Sequence, residues 1–454
     1  MMFDDKLLIL KNAPSDLATL ADELPDSHLL SRDLSPVRRQ GTDYPATSCS
    51  RKTIVGISSG SMASSSDQTS NASSCTFNTS ITRSPASSIA PEIATSEILE
   101  GLAARYGRGS NMVILDPSYR TFINKAQTAA LSYKVLNGVA VVGGDPLCHP
   151  DLYAQLLAEF KAYRSKHNWG ISFVGASEGF ANYARRQHWK TVHFATERVL
   201  DPMNNDILCE RAGKRMIVQN KQLLDPAKGG VTLRVYTPAT GEDHQLEKKI
   251  LGIYNSWCED RNQKSTAQAF ITVYRPFDFR NLMTYIYTSA ADGTVNGFAA
   301  LRFMGTTRGY HLDPCIAAVN APKGISDLLV FAAMAFTNRR GYSYLNLGCE
   351  PLESLGEIRG MTPALGRILR SIHNSVFQRL PIRGKRAYHN KFRPDPLQEA
   401  KLYLVFSSGG LGLVRQLVAV SHMANISLWK LVKAKAWRTR RETECPGQEA
   451  PAEA

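Results

Sequence analysis

The chain has 454 residues, is 43% hydrophobic and carries a formal net charge of +14. That length allows two domains with tails and real cores, and the positive balance favours phosphate-rich partners, nucleic acid or an anionic membrane face. The eight cysteines lack any paired spacing, which excludes a zinc or disulfide framework and fits a reducing compartment; no apolar run is long enough to cross a bilayer, and the acidic start MMFDDKLLIL is no signal peptide.

In chain order, residues 1–92 read as a disordered arm. Their Ser/Thr-rich, low-complexity stretch has too little apolar surface to offset the entropy of ordering. A first domain is expected over 93–226. It begins with a helix from Glu92 to Tyr106 and a strand at Met112–Leu115. Leu131–Leu136 and Val139–Val142 flank Asn137-Gly138 and predict a hairpin. Gly143-Gly144-Asp145-Pro146 turns into a helix over Leu152–Lys166, followed by a strand (Trp169–Val174), a helix (Ala181–Gln187) and a strand (His193–Val199). This alternation is that of a mixed α/β domain. Arg211–Leu224 is a basic helix.

The second domain is expected over 227–406, with a strand at Val231–Tyr236 and a helix over His244–Arg261. Strands Met283–Thr288 and Thr294–Phe303 then meet at an Asp292-Gly293 turn. Next comes YHLDPCIAAVNAPKGISDLLVFAAMAFTNRRGYSYLNLGCEP, from Tyr310 to Pro351. A polar segment with His311 and Asp313 leads into an apolar helix from Ile325, capped by Ser326 or Gly324. The helix ends at Gly341, before a strand that runs from Tyr344 towards Gly348, Glu350 and Pro351. Polar residues at the mouth of strand–helix–strand are how an α/β protein builds a site. The second half repeats the element order of the first, as a duplicated unit would. After a helix over Ala364–Arg379 and the basic segment Arg383–Pro394, Tyr403–Phe406 reads as the last strand. Residues 407–454 read either as a basic amphipathic helix suited to an anionic membrane surface, or as an ordinary terminal helix with a solvated charged end.

Several blocks together resemble the C-terminal domain of the phosphatidylglycerol lysyltransferases. They are Val141-Val142-Gly143-Gly144-Asp145-Pro146, Gly213-Lys214, Gly297-Phe298-Ala299, Gly324–Leu329, Asn346-Leu347-Gly348 and Lys391-Phe392-Arg393-Pro394. The resemblance covers roughly residues 100–406. It implies two tandem acetyltransferase-like (GNAT) units and transfer of an amino acid from its tRNA ester to a lipid hydroxyl, with aminoacyl-tRNA as co-substrate and no cofactor or metal. Where the bacterial enzymes read Asp-Leu-Met-Arg, this chain has Asp313-Pro314-Cys315-Ile316. The Ser-rich arm is more like the fungal members that esterify ergosterol, and among those most like the ergosteryl-glycine synthase type. That likeness implies glycyl-tRNA as donor, the sterol 3β-hydroxyl as acceptor, and a cytoplasmic enzyme peripherally associated with membranes. Phosphatidylglycerol is the alternative acceptor.

Such transfer needs a group to take the hydroxyl proton and a group to stabilise the oxyanion. Asp313 is the first candidate, or else a turn residue before Pro314; His311 could be the base or a structural histidine. Glu350 could bind the α-amino group or cap a turn. Asp145 reads as an Asp-Pro turn despite its motif and, with Tyr310, Asn346, Gly348 and Tyr388, completes the substrate-binding candidates. Lys385, Arg386, Lys391 and Arg393 lie beside Tyr388, His389 and Phe392, and Lys214, Arg215 and Lys221 could extend the track. Cations for phosphate and aromatics for unpaired bases suit a tRNA acceptor end; the alternative is solvated surface. The acyl-CoA pattern Q/R-x-x-G-x-G/A is absent before the 325–340 helix, which counts against an acyl-CoA-dependent enzyme. An inert RNA- or membrane-binding module is the third class.

Overall fold

A computed structural model describes residues 89–263, 274–378 and 382–424. The arm up to residue 88 and the basic tail from Trp429 to Arg441 lie outside the described residues. The first half runs α1 (Ile89–Tyr106), a 3₁₀ turn (Gly109–Leu115), β1 (Arg120–Ile123), β2 (Ala130–Leu136), β3 (Val139–Gly143), α2 (Tyr153–Ser165), β4 (Gly170–Ala176), α3 (Glu178–Arg186) and β5 (Lys190–Leu200). After α4 (Lys214–Leu224) come β6 (Thr232–Tyr236), α5 (His244–Gln263), β7 (Met283–Ser289), β8 (Val295–Met304), β9 (Gly309–Ala317), α6 (Ile325–Arg339) and β10 (Leu345–Pro351). The short β11 (Ile358–Arg359), α7 (Pro363–Phe377), α8 (Ile382–Asn390), β12 (Lys401–Phe406) and α9 (Gly410–Met423) follow.

All twelve strands among the described residues join one mixed sheet, in the order β1-β2-β3-β4-β12-β5-β10-β9-β8-β7-β6, with β11 on β5. The mixed α/β class expected from the sequence is the one that forms. Each half carries an antiparallel meander, a helix and a strand parallel to the meander's last: β3–α2–β4 and β9–α6–β10. The two halves are stitched together rather than strung in a line. Strand β12, expected with the second domain, lies antiparallel between β4 and β5. Helix α1, expected with the first, packs Leu99, Leu102 and Ala103 against Tyr285, Phe298 and Ala300 of β7 and β8.

Helix α6 is buried along almost its whole length, from Ile325 to Thr337, between the sheet and α4. That double cover is why its sequence is a continuous apolar run rather than a stripe. Burying Phe331 and Phe336 alone contributes about 1.5–3 kcal/mol each. Asn137 and Gly138 close the β2–β3 hairpin with φ of 50° and 66°, the left-handed pair a two-residue turn needs.

One local expectation is corrected, and two segments are given their elements. Met112–Leu115 is part of the 3₁₀ turn, not a strand, since a short apolar run fits any buried segment. The polar segment at 310–313 is the body of β9, and the basic segment after residue 382 is α8. The described part of the C-terminal helix, α9, buries Leu413, Gln416, Ala419 and Val420 on the sheet; only Leu411 and Val414 of its apolar residues stay well exposed.

Candidate active site

The two parallel pairs differ in how far they stay together. β3 and β4 pair at five positions, from Val139↔Gly170 to Gly143↔Val174. β9 and β10 pair only at Tyr310↔Leu345 and His311↔Asn346, and then part. In the first half the mouth is filled by the 3₁₀ turn: Asn111 Nδ2 donates to the Asp145 carbonyl at 2.9 Å, and Val113 sits so close to Gly143 that a Cβ there would meet it at 2.5 Å. In the second half this divergence of β9 and β10 forms the mouth. Its floor bends at Gly348, whose φ of 93° favours glycine, where the β10–β5 register slips between Asn346 and Cys349.

Asp313 stands where β9 carries an extra residue opposite β8, since Leu301↔Leu312 is followed by Ala299↔Cys315. This bulge re-aims the carboxylate. It accepts a hydrogen bond of 2.9 Å from the Tyr274 hydroxyl. Burial pushes the Asp313 carboxyl above its usual range, against the pull of Lys385, the Tyr274 bond, Arg261 and Arg302. His311 is buried beside it; burial, with Arg302 and Lys385, holds its imidazole well below the ordinary value, so it is neutral at pH 7. Its Nδ1 has no hydrogen-bond partner among the described residues.

Arg302, paired across the ladder with His311, is fully buried. Its Nη2 donates to the Arg108 carbonyl at 2.6 Å, and burial pushes the guanidinium down to about 10, still a cation at neutral pH. Glu197, from β5, is also buried and raised, and accepts from the Tyr344 hydroxyl at 3.2 Å. Gly109 lies tight against this group, for a Cβ there would stand 2.8 Å from Asn346 Nδ2 and 2.9 Å from Glu197 Oε1. Burial pushes the Cys315 and Cys349 thiols up to about 12, so neither is a thiolate nucleophile. Among the described residues no group of His, Cys, Asp and Glu is arranged to hold a metal ion.

Residues 102–406 match the family model described as phosphatidylglycerol lysyltransferase, C-terminal. The chain belongs to this family. It is 23% identical over 282 residues to the lysylphosphatidylglycerol biosynthesis bifunctional protein LysX of Rhodococcus jostii, covering 60% of this chain and 24% of that one. An MprF-like domain protein of Mycobacterium tuberculosis is 47% identical over 53 residues, 12% of this chain and 11% of its own. The chain thus spans about a quarter or less of the length of these relatives. The fold is shared with the DUF2156 C-terminal domain assigned to a lysylphosphatidylglycerol synthetase of Agrobacterium fabrum (TM-score 0.56, 16% identity, 72% of this chain and 96% of that one). It is shared equally with L-PGS of Bacillus licheniformis (TM-score 0.56, 18% identity, 71% and 95%).

Within this family member the structure gathers His311, Asp313, Asn346, Gly348 and Lys385 where β9 and β10 part: a Cβ on Gly348 would lie 3.5 Å from His311 Nε2 and 3.9 Å from Lys385 Nζ. The other expected site residues lie elsewhere. Glu350 is held by Arg386 and by Arg198, the latter at 3.1 Å, so its charge braces α8 and β5 against β10. Asp145 accepts from Ser177 N at 2.8 Å and Ser177 Oγ at 2.5 Å, tying β3 to the start of α3, and is more than a turn residue. Tyr310 points to the opposite sheet face, among Phe303, Phe336 and Tyr342. Lys391 pairs with Asp327 at 3.5 Å and lies 5.0 Å over the Tyr388 ring, so both brace the start of α6. Arg386 also pairs with Glu353. Lys214 and Arg215 are exposed and line an open concavity of about 490 Å³ on α4, on the far face from Asp313. Lys221 is paired with Glu210, and Arg393 is exposed.

Sequence reasoning missed Arg302, Glu197 and Tyr274. Arg302 had a readable signal, a lone charge inside an apolar strand (GFAALRFM), which is expensive unless it serves a site; Glu197, beside Arg198 in HFATERVL, had a weaker one. Tyr274 had none.

Proposed function

We propose that this chain is an aminoacyltransferase that moves an amino acid from its tRNA ester to a lipid hydroxyl. The observation that carries the reading is a half-buried Asp313 carboxylate, its pKa raised, at the point where β9 and β10 part, in a chain that belongs to this family. An ester is already activated, so positioning, one base and charge stabilisation suffice. Asp313 takes the acceptor's proton; its raised pKa brings a carboxylate nearer the working pH of a general base, whereas His311, held low, is a poor one. Lys385, exposed at the mouth, and the exposed Arg393 offer cations to the RNA phosphates, whereas Lys214 and Arg215 on the far face would meet only a more distant part of the RNA.

The finer reading, glycine passed to the 3β-hydroxyl of ergosterol by a cytoplasmic enzyme peripherally associated with membranes, rests on the sequence resemblance. No helix among the described residues is long and apolar enough to cross a membrane; Leu411 and Val414 on α9 with the basic tail beyond it supply a surface contact in this reading. Phosphatidylglycerol is the second reading, supported by the names of the relatives.

The test uses purified full chain, tRNA charged with labelled glycine or lysine, and vesicles containing ergosterol or phosphatidylglycerol. Label on ergosterol from glycyl-tRNA, lost when the RNA is digested first, is the expected result. Label on phosphatidylglycerol replaces the acceptor, and equal transfer from a glycyl thioester without RNA ends the tRNA reading.

A further inference from the structure

We propose that Arg302 is a catalytic residue, the group that receives the carbonyl oxygen of the donor ester; this deepens the transfer reading above and rests on it. Arg302 is fully buried, yet among the described residues only one of its three nitrogens finds a partner: Nη2 donates to the Arg108 carbonyl, with Gly109 O at 3.4 Å. Nε and Nη1 find no acceptor among the described residues. A buried guanidinium with two idle nitrogens is a costly arrangement, and buried polar atoms left so call for a specific explanation.

Its surroundings supply one. β8 and β9 place Arg302 directly across from His311, two residues from Asp313. Tyr274, Glu197 and Asp313 favour its charge, and it in turn favours the ionised form of Asp313. A fixed cation therefore stands beside the base, with Arg108 O and Gly109 O holding it still. His311 cannot share its role, being neutral in this field. A substrate oxygen that gains negative charge in the transition state is the acceptor the idle nitrogens lack.

In the step this serves, the acceptor oxygen bonds to the ester carbonyl carbon and its proton passes to Asp313. The carbonyl electron pair moves onto the oxygen facing Arg302. Collapse reforms the carbonyl, breaks the bond to the ribose oxygen, and returns the proton from Asp313 to that oxygen. No redox partner is involved.

The test is steady-state transfer by the full chain carrying Arg302→Gln, with Arg302→Lys and Arg302→Ala alongside. Removing one such donor is expected to lower kcat about 10²–10³-fold, with KM for aminoacyl-tRNA changing by no more than about threefold. Arg302→Lys recovers part of the rate, and methylguanidinium restores Arg302→Ala saturably. A clamp that only steadies residues 107–109 instead predicts a lower melting temperature with kcat near wild type. That pattern, or a loss confined to KM, overturns the proposal. If Arg302→Gln does not fold, the lysine variant and the methylguanidinium response decide by the same criteria. Absence of transfer by the wild-type chain sinks the tRNA-to-lipid reading itself, while wild-type transfer with a full-rate Arg302→Gln sinks only the role of Arg302.

Discussion

Asp313 and Tyr274 form the pair on which the chemistry turns. The phenol donates to the carboxylate and so favours its ionised form, opposing the burial that raises its pKa. Asp313→Asn keeps the shape and removes the base, and is expected to lower kcat about 10²–10⁴-fold. Tyr274→Phe removes the bond that holds the pKa down. The acidic limb of the pH–rate profile, where activity waits for Asp313 to lose its proton, should then move to higher pH; an unmoved or lowered limb means that Asp313 is not the group titrating. Asp313 was legible in the sequence as an acidic residue entering the central motif. Its phenol partner, 39 residues away in an irregular segment, left no pattern to read.

At the scale of elements, Glu350 changes character between sequence and fold. Sequence places an acid at the end of a strand, where α/β sites gather. The fold brings α8 across it, and Arg386 and Arg198 neutralise it while reaching on to Glu353 and Glu399. Glu350→Ala should therefore act on stability. Removing one member of a buried ion pair costs about 3–5 kcal/mol, and about 1–3 kcal/mol is expected here because both arginines are partly exposed and keep a second carboxylate. Urea unfolding beside kcat measures the split; a large fall in kcat at unchanged stability contradicts the bracing role. The 3₁₀ turn teaches the same lesson in reverse. Its residues Met112–Leu115 are apolar enough for a strand, but with no free sheet edge beside them they fill the first cleft.

For the whole molecule, the exchange of α1 and β12 between halves predicts one cooperative unit. A fragment of 93–226 lacks the strand between β4 and β5, and a fragment of 227–406 lacks the helix that covers Tyr285 and Phe298. Calorimetry on the full chain should show a single unfolding transition, and neither fragment alone should melt cooperatively; two separated transitions or a folded fragment would refute the coupling. The sequence by itself determined the mixed α/β class, the repeated element order, the turns at Asn137-Gly138 and Asp292-Gly293, and the motif blocks that mark the family. Periodicity, turn chemistry and short motifs are local properties of a chain. Only the tertiary structure decided which of the two parallel strand pairs parts early, which acids are spent on arginines, and which buried cation lies near Asp313. Those outcomes depend on residues far apart in sequence meeting across a sheet, and strand register is fixed by packing rather than by neighbours along the chain.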